Sequence, residues 1–475
     1  MSLAIVLLRN DLRLADQPAL QAALRLGHAP LLAYVHAPDE EGDWAPGAAS
    51  DAWRHRSLQA MEARLRGVGA RLHLFRGPTL ATVQAIVQAS RAEAGFWSRR
   101  FEPAVEGPDT RLKRELRAQG LHVESHNASL MFEPWQVQTK QGDPYRVFTP
   151  FWRTALSQWR LPDAMPAPER LPLHAALPGE VALDALGLQP SLGWDKDFWE
   201  NWTPGEQGAE DALRRFIDER LHDYAKARDV PSVAGTSRMS PHLHFGEISP
   251  RQIARALLQT QDGSGREASL RELGWREFAH HVLHHFPQTT DANFNPRFDD
   301  FPWVTPARAG FDACLEAWRH GRTGVPIIDA RMRELWQNGW MHNRVRMIAA
   351  SFLTKHLRAH WREGARWFWD TLVDADLANN SLGWQWAAGT GVDAAPYVRV
   401  FNPVLQASRF DPKGEYVARW VPELAGLPAP LRHAPWQEPA LARAAGYPST
   451  PIVDLAEGRK AALAAFETIR VRTPD

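Results

Sequence analysis

Cysteine is nearly absent from this 475-residue chain, in which Cys314 stands alone. One thiol closes no intrachain disulfide and cannot build a cysteine-ligated zinc site, so a reducing, cytoplasmic setting is expected. Long apolar runs are missing too. The longest near the N-terminus, Leu3–Leu8, is too short for a signal-peptide core or a membrane span. Net charge is zero, with 55 basic residues against 55 acidic. Lysine is scarce, 7 residues beside 48 arginines, a bias that genome composition or phosphate recognition would produce. No GxGxxG follows the first apolar run, where Arg9, Asn10 and Asp11 stand instead, so dinucleotide binding there is unsupported. HExxH, repeats and low-complexity tracts are also lacking, and no metal is expected.

What remains is a globular composition, 44% hydrophobic and 23% charged, long enough for two or three domains. Tryptophan dominates the aromatics, 21 residues against 20 Phe and 6 Tyr, and ten of them fall between Trp275 and Trp386. They form either a bulky helical core or stacking surfaces and redox-active indoles.

Up to residue 125 short apolar runs alternate with amphipathic stretches. Strands are expected at Leu3–Leu8, Pro30–Val35, Arg71–Phe75, Gly95–Ser98 and Leu121–Ser125, with helices near Asp16–Leu26, Ser50–Val68, Thr79 onward and Pro108–Ala118. Such alternation predicts an α/β, Rossmann-like domain over residues 1–130, a parallel sheet with helices on both faces. Residues 131–205, including the proline-rich Leu161–Gly179, read as an interdomain linker. Beyond them the apolar spacing becomes helical, predicting a mainly α-helical domain over 206–475.

Several segments could carry chemistry. Gly235–Pro250 (GTSRMSPHLHFGEISP) offers Thr236, Ser237 and Ser240 in a glycine-initiated loop, suited to a phosphate or to ordinary capping. Glu272 and Trp275 lie three apart on one helix face, a carboxylate beside an indole that could grip a base or form a surface ion pair and a core ring. Asn343 and Arg346 share another face, and Asp374–Asn380 (DADLANN) holds two carboxylates and two amides. Asp374 with Asp376, or His280 with His281, is weak ground for a metal. Trp384 and Trp386 would project to the same side of an extended segment. Arg319–Arg366 carries ten basic residues and three acids, either a footprint for phosphates or a helix face whose partners lie elsewhere in sequence.

Taken in order, DLRLADQPAL, GTSRMSPHLHFGEISP, WREF, TGVPIIDARMREL, GWMHNRVRMIAASFLTK, WREGARWFW, DADLANN, GWQWAAGTGVDAAPY, FNP and WVPEL resemble the DNA photolyase/cryptochrome family across essentially the whole chain. The likeness is strongest from Tyr224 to Leu424 and is similar to a class I-type cyclobutane pyrimidine dimer photolyase. The resemblance implies FAD held non-covalently and reduced in the active form, with a folate or deazaflavin as a possible antenna. Tyr224, Thr236, Ser237, Arg238, Met239, Ser240, Arg346, Asp374, Asp376 and Asn380 would hold the flavin cofactor. Glu272, Asn343, Met347 and Asn380 would be catalytic, and Trp384, Trp361 and Trp303 would conduct electrons. A dimer flipped from UV-damaged DNA would meet Glu272, Trp275, Arg276, Asn343, Trp386 and Gln406. The expected activity is that of a light-dependent carbon–carbon lyase acting as a monomer without an obligate protein partner. A (6-4) photolyase would carry histidines at Asn343 and Met347. A plant-type cryptochrome would carry Asp at Asn380.

Overall fold

A computed structural model describes residues 2–163 and 165–470. The chain divides into two compact units that interleave along the sequence. The first takes the chain up to His222, then Ser237–Pro287 and Val373–Leu377; the second takes Asp223–Thr236, Gln288–Leu372 and the chain from Ala378 onward.

Five strands build the sheet of the first unit: β1 (Leu3–Leu8), β2 (Ala29–His36), β3 (His73–Arg76), β4 (Ala94–Ser98) and β5 (His122–His126), in the order β3-β2-β1-β4-β5. Every pairing is parallel, as the strand–helix alternation predicts. β1 is apolar throughout because both its faces are covered. Ala4, Val6 and Leu8 join one core with Leu20 and Leu58, while Ile5 and Leu7 join another with Val83 and Leu112. The covering helices are α1 (Pro18–Arg25), α2 (Ala48–Gly67), α3 (Thr79–Ser90) and α4 (Pro103–Ala118). Residues 131–205 do more than connect. They supply α5 (Phe148–Gln158) and send Leu171, Leu186 and Leu188 into the sheet core.

The turn after β1 ties distant segments together. Asp11 is fully buried and accepts hydrogen bonds from Gln17 Nε2 and Ser98 Oγ. Arg13, also fully buried, donates to the carbonyls of Gly246 (2.8 Å), Asp16 (2.7 Å) and Ala128 (2.8 Å). Gly246 must be glycine: its φ is +63°, and a Cβ there would fall 2.2 Å from the Asn10 carbonyl oxygen. Four further helices belong to this unit: α6 (Glu206–Glu219), which follows residue 205, and then α8 (Ser240–His244), α9 (Pro250–Leu258) and α10 (Ser264–His285), beyond the short α7 (Tyr224–Ala227) of the second unit. Ser249 opens α9 with a capping box, its hydroxyl accepting from Gln252 N–H at 3.0 Å.

The second unit is helical, as expected: α11 (Phe311–Arg319), α12 (Pro326–Asn338), α13 (Asn343–Ser351), α14 (Trp361–Thr371), α15 (Leu377–Ala388), α16 (Pro403–Phe410), α17 (Glu415–Trp420), α18 (Ala429–His433), α19 (Pro439–Ala444) and α20 (Leu455–Arg470). Its polar anchor is Asp329 on α12, fully buried, which accepts from Thr323 N–H and Oγ1 (both 2.7 Å) and from the Tyr447 hydroxyl. The helical spacing of Arg344–His356 predicts one continuous helix. The segment is α13 followed by a π-helical turn, Phe352–His356.

That π turn buries Lys355, 1% exposed, whose Nζ donates to the Arg399 carbonyl at 3.1 Å. Burial, helped by the charge of Arg399, pushes the ammonium down to about 7 from an ordinary 10.5. Between those values the unfolded chain holds the proton more tightly, so folding stability rises with pH across that window. Denaturant titrations of wild type and Lys355→Met from about pH 7 to about pH 9 check this. Stability should climb in the wild type and stay flatter in the variant, whereas parallel profiles would show that Lys355 does not titrate there.

Candidate functional site

In the first unit, α10 is the element that places chemistry, and its fit is tight. A Cβ on Gly265 would fall 1.7 Å from the Leu221 carbonyl oxygen, and one on Gly274 would fall 2.6 Å from Trp152 Cε3. Glu277 pins the helix from below, accepting from the Met131 and Phe132 amides at 2.9 and 3.1 Å. Burial raises its carboxyl above the ordinary value against the opposing charge of Arg276. Arg276 itself turns inward and donates to the Ser129 carbonyl at 2.6 Å, so its guanidinium positions the helix from inside this unit. Trp275 lies flat on Phe148, with ring centres 3.8 Å apart and planes 10° apart. Phe148 stacks in turn on Trp152. One face of the Trp275 indole is thereby fixed, and Glu272 stands one turn away on the same side of α10, half-buried.

Farther along α10, His280 approaches Asp376 at 3.5 Å, and His244 approaches the same carboxylate at 3.8 Å. Burial alone would raise Asp376; the charge of His280 and hydrogen bonds from both histidines hold it well below the usual carboxylate range. The same pairing raises His280 despite burial. His281 points away, its Nδ1 donating to the Pro134 carbonyl at 2.9 Å, so the two histidines serve different partners. Asp374 is buried nearby in sequence. The loop Ser237–Ser240 turns through Arg238, which is left-handed at φ +55°, and Met239 N–H donates to Ser237 Oγ at 3.4 Å.

The remaining candidates belong to the second unit. Asn343 opens α13 and is exposed, with Met347 four residues on along the same face. Met347 Sδ lies 3.9 Å from Arg344 Nη1, and Arg344 pairs with Asp229 at 2.7 Å. Arg346 is steadied by a bond from its Nε to the Met341 carbonyl at 2.7 Å. Asn380 donates from Nδ2 to the Ala365 carbonyl at 3.0 Å. Tyr224 is buried; Thr236 and Gln406 are half-buried.

Trp384 and Trp386 do not share a side. They lie on α15, where two residues span about 200° of rotation, so the extended reading fails. Trp384 is 3% exposed and packs on Phe368 (4.9 Å) and Trp318 (6.1 Å), while Trp386 is half-buried. Gly364, one turn into α14 from Trp361, makes room for it: a Cβ there would fall 2.0 Å from Trp384 Cη2. Trp361 is fully buried, its Nε1 donating to Asn293 Oδ1 at 2.9 Å. Its ring lies 5.4 Å from His360, which lies 5.1 Å from Trp303. Aromatic rings thus run from buried Trp361 to half-buried Trp303. Asn293, Gly364 and Phe148 have no signal in the sequence that would single them out, since each acts through a residue remote in the chain.

The basic run Arg319–Arg366 is largely accounted for within the protein. Arg319, Arg333, Arg344 and Arg366 pair with Glu316, Glu423, Asp229 and Asp291, all outside the run. Lys355 and Arg331 are buried. The helix-face alternative therefore explains most of that charge.

Strand order reverses between β1 and β4, so the sheet opens a crevice at the C-terminal ends of those strands. Ion pairs fill it. Arg9 meets Asp109 at 2.6 Å, and Arg100 meets Glu41 at 2.5 Å and Glu102 at 2.9 Å, leaving a cavity of about 60 Å3, room for waters and not for a ring system. A folate or deazaflavin there would have to displace those pairs.

Known proteins match along the length of the chain. Residues 4–169 fit the DNA photolyase family model, and residues 269–468 fit that of the FAD binding domain of DNA photolyase. The deoxyribodipyrimidine photo-lyase of Agrobacterium fabrum is 44% identical over 99% of this chain and 98% of its own. Cryptochrome-1 of Arabidopsis thaliana is 37% identical over 96% of this chain but only 69% of its own. The crystal structure of a bacterial class III photolyase from Agrobacterium tumefaciens superposes with a TM-score of 0.93 at 42% identity, covering 99% of this chain and 98% of that one. That neighbour is a class III enzyme, whereas the sequence motifs resemble the class I type. With such identity over nearly full length in both chains, and a matched FAD-binding domain, the protein belongs to the DNA photolyase/cryptochrome family and is a flavoprotein.

Proposed function

We propose that the protein reverts cyclobutane pyrimidine dimers in UV-damaged DNA under blue light, with residues 206–475 as the working part and residues 1–130 as an antenna domain. The observation that carries this reading is the α10 platform: Trp275 locked flat on Phe148, with Glu272 one turn away on the same face. A flipped pyrimidine dimer needs such a π-face and such a polar grip. Asn343 and Met347, on one face of α13, would add a second polar contact and a soft apolar one. Histidines, which a (6-4) photolyase would carry there, are absent from both positions. Trp386 and Gln406 would complete the lesion contacts.

The donor set fits FAD. Ser237 and Ser240 would supply hydroxyls for a pyrophosphate, with Arg238 and Met239 between them, and the resemblance adds Thr236 and Tyr224. Asn380 has its Nδ2 committed to Ala365, which leaves Oδ1 to accept from a flavin N–H. By the resemblance, Asp374 and Asp376 would bring negative charge to the cofactor, and Arg346 positive charge. Reduced and excited FAD supplies the single electron that dimer splitting requires. Glu272, in its protonated form, would donate a hydrogen bond to the dimer carbonyl as negative charge develops on it. Trp384, Trp361 and Trp303 would carry electrons inward for flavin reduction, from half-buried Trp303 toward the buried Trp361 and Trp384.

Irradiating dimer-containing DNA with the flavin-reduced protein tests the reading directly. Thymine dimers should disappear under blue light and persist in darkness. Repair of (6-4) products alone would overturn it, and flavin photoreduction with no repair of any lesion would favour a cryptochrome-type photoreceptor. The electron path has its own test. Trp384→Phe should abolish photoreduction while chemically pre-reduced variant still repairs, and Gly364→Ala, which displaces the same indole, should slow photoreduction as well. Unchanged photoreduction in Trp384→Phe would remove that residue from the path.

A further inference from the structure

The second unit contains a ligand-sized cavity of about 320 Å3 that none of the residues above uses. It lies among α11, the π turn Phe352–His356, the segment Val304–Gly310 and the start of α20. Sites for small molecules run from roughly 300 to 1,000 Å3, so this one is at the small end. Its walls are apolar: Phe311, Leu315, Leu353, Leu357 and Ile452 line it. Its charged lining is unequal, Arg308 and Arg358 against Glu457. Arg308 and Glu457 are exposed and Arg358 is half-buried, so the charged rim that meets water carries two guanidinium groups against one carboxylate.

Two features of the backbone mark the place as built. Arg358 sits in the left-handed region at φ +53°, a conformation that costs a side-chain-bearing residue free energy and that glycine would adopt freely. Its carbonyl accepts from Val304 N–H at 2.9 Å, which sets the Val304–Ala359 bridge at the cavity edge. Immediately before it comes the π turn, an uncommon device that recurs at functional sites. Gly458 lets α20 close against that turn, since a Cβ there would sit 3.1 Å from His356 Nδ1.

We propose that this cavity is a binding site for a small amphipathic monoanion, an aromatic or branched apolar body carrying one carboxylate or sulfonate. The apolar walls take the body, and Arg358 with Arg308 takes the anionic head. An occupant would lie one residue from Trp303 on one side of the bridge and one residue from His360 on the other. Cys314 lines the same cavity and is the only thiol of the chain, so it reports occupancy without labelling elsewhere.

The test uses the flavin-loaded protein, naphthalene-2-sulfonate as probe and neutral naphthalene-2-sulfonamide as control, read by calorimetry and by the rate of Cys314 alkylation with iodoacetamide. The sulfonate should bind and slow alkylation at least about fivefold, with the sulfonamide at least about tenfold weaker. Arg358→Ala should weaken sulfonate binding about tenfold, and Ala461→Phe, which fills the cavity, should abolish both binding and thiol protection. Sulfonate binding that leaves the alkylation rate untouched, equal affinity for sulfonate and sulfonamide, or no binding would each overturn the proposal. Protection in the wild type tests it even where Ala461→Phe fails to retain flavin.

Discussion

The first unit depends on one buried guanidinium. Arg13 has no access to water, and burial pushes it down to about 10 against the charge of Asp16. Such a group is tolerated only where its donors are satisfied, and three carbonyls from residues far apart in sequence do so. Those carbonyls fix the end of the sheet, the segment after β5 and the turn between α8 and α9 with respect to one another. Glu277 then ties α10 to the same segment after β5, through the amides of Met131 and Phe132. The position of Glu272 and Trp275 thus traces back, in two steps, to the loop where a nucleotide-binding sheet would carry glycines.

The sheet was legible because its physics is local. β1 must be apolar on both faces to be covered on both, and the alternation of strand and helix leaves few topologies. The faces of α10 and α13 were legible for the same reason, since three- and four-residue spacings report directly on a helix surface. The segment around Trp384 was not. Its alternating tryptophans suggest an extended strand, but Gln385 between them decides otherwise. It donates to the carbonyls of Thr289 and Ala292 and accepts from Phe294 N–H, holding α15 against a segment almost a hundred residues earlier. The basic run stayed open for a similar reason, because Asp229, Asp291 and Glu423, which pair with it, lie outside its own stretch.

Core packing does not exclude the electron path proposed for the tryptophans. Trp361 is fully buried and hydrogen-bonded, as a core indole must be, and the same constraints fix its distance from His360. A ring that packs well is also a ring whose neighbours do not drift. Composition therefore could not separate the two readings of the tryptophan excess, because the indoles of the proposed electron path, Trp361 and Trp384, are also core side chains.

The interleaving of the two units has a consequence for synthesis. Val373–Leu377 belongs with the sheet although it is separated from the rest of that unit by the whole stretch Gln288–Leu372. It brings Asp376, the counterion of His280 and His244. A chain emerging from the ribosome has every strand early but lacks this carboxylate until most of the second unit has also been made. Until then the imidazoles of His280 and His244 would be without their anion. The order of translation thus makes completion of the first unit wait on the second, and a fragment ending before Val373 would carry all five strands yet lack the anion that His280 of α10 faces.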